Sequence, residues 1–216
     1  MNRRNGPGKK KRSLQWMTGT ALMIAVTLVL ASTPLGRITM PFLTATTVHI
    51  PVIIATLTLG LESGVITGLV FGVHSMLSNL TGASFFAPFF INPLVSVLPR
   101  VLFPLAVYGI AQGVKKMTHR IDRRHMAAYV LASALGTALH TALVMGMIYL
   151  LYGQSIANMF LGGTNVPEAI ASKGVGMGIA AMGLANGLPE MVVAALIAPV
   201  ISAALDRAIG RMTVRQ

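Results

Sequence analysis

Long apolar stretches recur along nearly the whole chain, and they constrain the fold more than any other feature. Of its 216 residues, 54% are hydrophobic and 10% are charged, which is more apolar surface than one soluble core of this size can bury. A bilayer core needs about 20 apolar residues per helix. The stretches predict helices over residues 14–33, 41–60, 63–81, 93–114, 126–152 and 176–206. We therefore expect an all-α integral membrane protein, with a bundle of six transmembrane helices in one membrane domain over residues 14–207.

Prolines leave the limits of two predicted spans open. Pro41 and Pro51 allow either one kinked span or a loop followed by a short helix that begins at Pro51. In the last span, the stretch 186–189 (Asn-Gly-Leu-Pro) is expected to loosen or break the helix. Broken backbone at membrane depth persists only where it is buried in protein or faces a wet cavity. The expected break at residues 186–189 therefore indicates a binding pocket.

The positive charges indicate how the chain is oriented. Lys and Arg number 17 against 5 acidic residues, and most of them gather in residues 3–12, 115–124 and 207–215, at helix ends and not along one face. This placement argues against nucleic-acid binding. By the positive-inside rule, we expect a protein of the cell membrane with both termini in the cytoplasm. We expect residues 1–13 and 208–216 to be basic cytoplasmic tails, the first disordered. The apolar run after the first tail is too long for a cleaved signal peptide.

Two ionisable residues are predicted inside the membrane, where a charge costs about 2.5–3.5 kcal/mol on insertion scales. At about 1.5 Å per residue, Arg100 lies about 21 Å and Glu190 about 24 Å from the cytoplasmic ends of their helices. They can share one layer in the outer half. Arg100 would bind an anionic substrate group while Glu190 orients it or binds substrate hydroxyls. The alternative is a structural Arg–Glu pair.

Polar residues near this layer are further candidates for substrate binding. Asn92 precedes Pro93 as a helix cap would, aiming a helix N-terminus at the outer pocket. Pro99 and Pro104 are expected to interrupt the helix on both sides of Arg100, as in many transporter sites.

The remaining substrate-binding candidates are His140, Asn79 and Asn186. For His140 the alternative is a bond to a backbone carbonyl, and for each asparagine it is a helix cap or an interhelical bond. His49, His74 and His140 have no ligand spacing and Cys is absent, so we expect no metal site.

Small residues at intervals of four indicate close helix packing. Gly60, Gly64, Gly68 and Gly72 form the longer series, for which packing within the chain is favoured. Ala21 and Ala25 repeat the interval in the first helix, where contact with a partner protein is an equal alternative.

Motifs for enzymatic chemistry are missing from the sequence. It contains no serine elbow, paired-carboxylate motif, HExxH, phosphate loop or nucleotide fingerprint. We therefore expect that this chain is not an enzyme and binds no cofactor, and that any ATP its function requires is hydrolysed by partner subunits.

Several stretches together resemble the S components of energy-coupling factor (ECF) transporters, closest to the pantothenate-type branch. They are residues 49–55 (HIPVIIA), 59–60 (LG), 64–72 (GVITGLVFG) and 98–102 (LPRVL), together with 21–25 (ALMIA) in the first helix. The resemblance implies a vitamin-capturing subunit with an outer pocket among the last three helices and the loops after helices 1, 3 and 5. It also implies docking of the Ala21–Ala25 face on a transmembrane coupling subunit. Two cytoplasmic ATPases would supply the energy, and the S component would topple in the membrane to release its vitamin.

Arg100 suits a vitamin that carries a carboxylate. Pantothenate has one, with hydroxyl and amide groups, and the few aromatic residues of the chain disfavour large ring systems. Folate, biotin and niacin are also carboxylates, so an S component for another vitamin or small solute stays open. A stand-alone membrane facilitator is the remaining alternative.

Overall fold

The computed structural model describes residues 14–40, 43–81, 87–117, 123–161 and 168–214. The predicted tail over residues 1–13 lies outside them. Within these ranges the elements are eight α-helices, one short 3-10 helix (Pro34–Gly36) and one two-stranded hairpin. The helices are α1 (Leu14–Ser32), α2 (Ile50–Thr58), α3 (Leu61–Leu80), α4 (Ala87–Phe90), α5 (Pro93–Ser96), α6 (Leu98–Met117), α7 (Arg123–Leu161) and α8 (Glu168–Val214), and the strands are β1 (Arg37–Met40) and β2 (Leu43–Thr46).

Five segments of the described chain are long and apolar enough to cross a membrane. They are Leu14–Ser32, Leu61–Leu80, Pro93–Met117, Met126–Asn158 and Lys173–Ala208. Each coincides with one of the predicted spans. The helical membrane bundle is therefore supported, whereas the predicted count of six spans is not confirmed.

The predicted second span, residues 41–60, contains strand β2 and the nine-residue helix α2. Pro51 lies in the first turn of α2, where its missing N–H costs no hydrogen bond, so the short-helix alternative describes this region. Val52, Ile53 and Ala55 are fully buried, and α1, α3, α6 and α8 pack around them. Helix α2 is thus the centre of one of two hydrophobic clusters within the described residues, and it is too short to span a bilayer.

The long helices continue through their prolines. Helix α8 extends unbroken over 47 residues with Pro189 inside it, so the expected break at Asn186–Pro189 is wrong. Helix α6 likewise contains Pro104, and the discontinuity lies instead at Val97, between α5 and α6. Transmembrane helices tolerate proline where neighbouring helices and local adjustments compensate for the lost bond.

Three of the four spaced glycines lie where α3 packs too closely against another segment to admit a side chain, and at Gly68 and Gly72 the nearest atom belongs to the backbone of that segment. A Cβ on Gly68 would lie 2.2 Å from the carbonyl oxygen of Arg100, and one on Gly64 would lie 2.0 Å from the Thr56 hydroxyl. At Gly72 the nearest atom would be the Cα of Val97, at 2.8 Å. Gly60 differs, because its φ of 97° places it in the left-handed region and an added Cβ would meet nothing. It serves the turn between α2 and α3.

The outer faces of α1, α7 and α8 are apolar. Leu150, Met177 and Leu196 are exposed by 75%, 74% and 66% of their surface, as expected for side chains that face lipid. Ala21 and Ala25 are also exposed, on the face of α1 that the other helices leave uncovered.

Candidate functional site

Arg100 is buried at the start of α6, in the third residue of that helix. One terminal nitrogen, Nη1, donates a 2.7 Å hydrogen bond to the carbonyl oxygen of Val95. The guanidinium carbon lies 5.4 Å from the ring centre of Phe71 and 5.3 Å from that of Phe90, within the range of cation–π attraction. The Nε atom is buried without a hydrogen-bond partner. This cation is therefore held in place with part of its donor capacity unused.

Two buried histidines lie beside Arg100. The rings of His49, before α2, and His140, in α7, have centroids 6.0 Å apart and are tilted by 20°. Phe103 and Phe71 border His140, with ring centroids 4.9 Å and 6.3 Å away. All four ring nitrogens are buried without a hydrogen-bond partner. The bond to a backbone carbonyl that was the alternative for His140 is not formed.

Glu190 reaches the same layer from α8 and binds the hairpin. Its Oε1 accepts hydrogen bonds from the backbone N–H of Thr46, at 2.8 Å, and from the Thr46 hydroxyl, at 2.9 Å. Its charge interacts with that of Arg100, but no direct ion pair joins the two side chains, both of which the structure describes. We call Arg100, His49, His140 and Glu190 the Arg100 layer, and the end of the bundle with β1 and β2 the hairpin end.

The three asparagines predicted to bind substrate have partners of their own. Asn92 caps α5, since its Oδ1 accepts from the N–H of Leu94 at 2.9 Å, and its Nδ2 donates to the Tyr152 hydroxyl at 3.0 Å. Asn79 and Asn186 donate to backbone carbonyls of their own helices, at 2.7 Å and 3.1 Å. Within the described ranges no hydrogen bond links them to the Arg100 layer.

A groove of about 400 Å³ lies between α7 and α8. Alanines, glycines and long apolar side chains line it, and Thr141 supplies its polar atom. Ala138, Ala142, Leu184 and Leu188 on its rim are exposed, so the groove opens to the lipid-facing surface. Its chemistry does not suit a charged solute.

A second polar group lies at the opposite end of the bundle. Lys115 of α6 places its Nζ 4.8 Å from the ring centre of Tyr129 in α7, and the Tyr129 hydroxyl donates to a carboxylate oxygen of Asp206 in α8. We call these three residues the Tyr129 cluster. Lys115 also lines a cavity of about 280 Å³ between α2 and α6. The cluster connects three helices through paired groups.

Sequence reasoning missed His49 and Thr46 as members of the site. His49 is far from His140 along the chain, and no spacing rule brings two such residues together. Thr46 was expected inside a kinked helix or in a loop before a short helix, and it lies at the end of a strand. The described residues contain no group of three or more His, Cys, Asp or Glu side chains that could hold a metal ion.

The apolar helices and the buried charged layer define a multi-pass membrane protein with an internal polar site. The family model of the ECF transporter substrate-specific component matches residues 15–202 of the chain. The chain therefore belongs to the family of ECF transporter substrate-specific components. It is a transport subunit, not an enzyme, and its family implies association with an ECF module of coupling and ATPase subunits. A search of curated proteins gave no significant match.

Proposed function

We propose that this chain captures a water-soluble vitamin, with pantothenate as the best candidate, at the hairpin end of the bundle. The Lys and Arg bias of the sequence supports an external position for that end and a cytoplasmic position for both termini. The loaded subunit then topples on the coupling subunit and releases the vitamin inward. Two ATPase subunits of the module hydrolyse the ATP.

The observation that carries this proposal is the state of Arg100. A buried cation is costly unless an opposite charge or hydrogen bonds compensate for lost water. Glu190 uses one carboxylate oxygen on Thr46, and the Arg100 Nε has no partner. An incoming carboxylate would supply the missing charge and acceptor, and Arg–carboxylate bonds are among the stronger hydrogen bonds in proteins. The four unpaired imidazole nitrogens beside it supply the polarity that a hydroxyl- and amide-bearing acid needs.

A thermal-shift screen of the purified chain in detergent tests the substrate. A ligand at about 100 times its dissociation constant stabilises the folded state by about 2.7 kcal/mol. We expect pantothenate to raise the melting temperature, and biotin, folate, niacin, thiamine and riboflavin to leave it unchanged. Stabilisation by another vitamin would keep the class and overturn the branch. No response to any of them would favour the facilitator or another solute.

We further propose that the exposed Ala21–Ala25 face of α1 docks on the coupling subunit. Both alanines leave the helix backbone open to close approach, which is how helices associate in lipid. Along the same helix Leu22, Val26 and Val29 are also more than a third exposed, so a large part of α1 has no partner within the chain.

Leucine substitutions on α1 test this docking. Ala21→Leu and Ala25→Leu should bind substrate normally in detergent yet abolish uptake in cells that contain the whole transporter, because the added side chains hold the two helices apart. Ala185→Leu, on an exposed position of α8, is the matched control and should transport normally. Normal uptake by both α1 variants would overturn the docking surface.

A further inference from the structure

The ring nitrogens of His49 and His140 contribute no hydrogen bond to the fold, although the rings pack against aromatic neighbours. His49 occupies the N-cap position of α2 but makes no side-chain capping bond. Neither ring forms a hydrogen bond, although His49 is fully buried and His140 is only 5% exposed. Buried polar groups in folded proteins are nearly always paired, so four unpaired nitrogens in two neighbouring rings require an explanation. A ligand that enters the Arg100 layer would provide one.

The chemistry of the pair identifies what it would bind. In an apolar layer beside a guanidinium, both imidazoles are neutral, and each then offers one N–H donor and one acceptor nitrogen. A hydroxyl group both donates and accepts, so it can satisfy either kind of nitrogen. The Thr137 hydroxyl, about one helical turn before His140 in α7, is also buried without a partner. The layer therefore combines one cation with several neutral donors and acceptors.

We propose that His49 and His140 form a specificity element that recognises hydroxyl groups of a carboxylate whose negative charge binds Arg100. This inference rests on the proposed function and adds the substrate class, a hydroxy acid, to it. A divalent cation between the two rings is disfavoured, because the Arg100 charge interacts with both of them and would repel it.

Two ligands that differ only in hydroxyl groups test the pair. They are pantothenate and N-(3,3-dimethylbutanoyl)-β-alanine, which keeps the amide and carboxylate but lacks both hydroxyls. Calorimetric titration of the full chain in detergent should show a preference for pantothenate of about tenfold or more, as expected for buried hydrogen bonds. In His140→Phe and His49→Phe this preference should be lost, while affinity for the deoxy acid stays within about threefold of the parent value.

Two further variants separate recognition from a structural role. His140→Gln keeps a donor and an acceptor and should retain a preference for pantothenate. His74→Phe is the control, since His74 is bonded to Ser32 and Ser78 at the helix surface, and it should bind both ligands like the parent chain. Equal losses for both ligands in the Phe variants, or an unchanged preference, would overturn the proposal.

The ligand-free protein gives a readout that does not depend on pantothenate. The phenyl ring introduced by His140→Phe would fit an aromatic surrounding that already contains Phe71 and Phe103, and the substitution would remove two unpaired polar atoms. The melting temperature of His140→Phe should therefore be equal to or higher than that of the parent chain. Lower melting temperatures of both Phe variants would assign the histidines to the fold and overturn the inference. Absence of pantothenate binding combined with normal or higher melting temperatures would instead overturn the choice of vitamin.

Discussion

The Arg100 layer and the Tyr129 cluster are both polar groups inside an apolar bundle, yet their polar atoms are used differently. In the Tyr129 cluster a hydroxyl donates to a carboxylate and an ammonium group covers the ring, so three helices are joined through paired groups. In the Arg100 layer the guanidinium keeps an unused donor and two imidazoles have no partner. Buried polar groups that are paired stabilise a fold, whereas unpaired ones lower its stability. On this comparison we propose a structural role for the Tyr129 cluster and ligand binding for the Arg100 layer.

The largest effect is expected where the backbone under the Arg100 layer is disturbed. Gly68→Val would place a β-carbon 2.2 Å from the carbonyl oxygen of Arg100, and only movement of α3 away from α6 could relieve the clash. Overpacking of this kind costs about 1–3 kcal/mol and occasionally more, and we expect the upper end because the oxygen that the β-carbon meets belongs to the backbone. We expect a large fall in melting temperature and in the yield of folded protein.

The matched control for Gly68 is Gly109, which lies in α6 where an added Cβ would meet nothing within 4 Å. Gly109→Val should fold normally. If Gly68→Val melted at the parent temperature, the close approach of α3 and α6 would be wrong.

Removal of the charge in the Arg100 layer should weaken binding more than it affects folding. Arg100→Ala would delete the proposed hydrogen bond between the guanidinium and the carboxylate of the vitamin. A hydrogen bond to a charged group is worth about 1.5–3 kcal/mol, so we expect the affinity for a carboxylate vitamin to fall roughly 10- to 150-fold. Titration calorimetry measures the affinity, and circular dichroism on heating checks the fold. Arg207→Ala removes an exposed charge from α8 and should leave the affinity unchanged. Unchanged affinity in folded Arg100→Ala would return Arg100 to a structural role.

In the Tyr129 cluster we expect the opposite pattern, a loss of stability without a loss of substrate affinity, and the effect is smaller. Tyr129→Phe removes the hydrogen bond to Asp206 and should lower the free energy of unfolding by about 1 kcal/mol, since Asp206 is partly exposed and water replaces the hydroxyl. Substrate affinity should not change. Tyr108→Phe, at a more exposed phenol in α6, is the control for the substitution itself. A loss of affinity in Tyr129→Phe with unchanged stability would reverse the comparison between the two regions.

The sequence predicted the spanning helices and the two buried ionisable residues of the Arg100 layer, because each depends on the composition of a single segment. A run of about 20 apolar residues predicts a helix that can cross the membrane. An ionisable residue within such a run is rare and can therefore be recognised from the sequence alone. Arg100 and Glu190 were found in this way, and both lie in one layer with His140. The spacing of Gly64, Gly68 and Gly72 likewise predicted close packing of α3.

Features that depend on two distant segments were not predicted. The pairing of His49 with His140 and the bond from Thr46 to Glu190 arise only when the bundle has formed. Strands β1 and β2 have four residues each, too few for an alternating pattern to emerge from an apolar stretch. The prolines of α8 led to a predicted break that the structure does not contain. The rule for soluble helices overstates the effect of proline on a helix within a membrane bundle.

The glycine contact between α3 and α6 also has a mechanical consequence. Where a side chain separates two helices, rotation about its bonds can absorb small displacements, but the contact at Gly68 brings backbone against the peptide group of Arg100 itself. No side chain of Gly68 separates the two main chains, so a displacement of α3 toward α6 would move the main chain of Arg100 directly. The position of the positive charge in the Arg100 layer therefore depends on the backbone of a neighbouring helix.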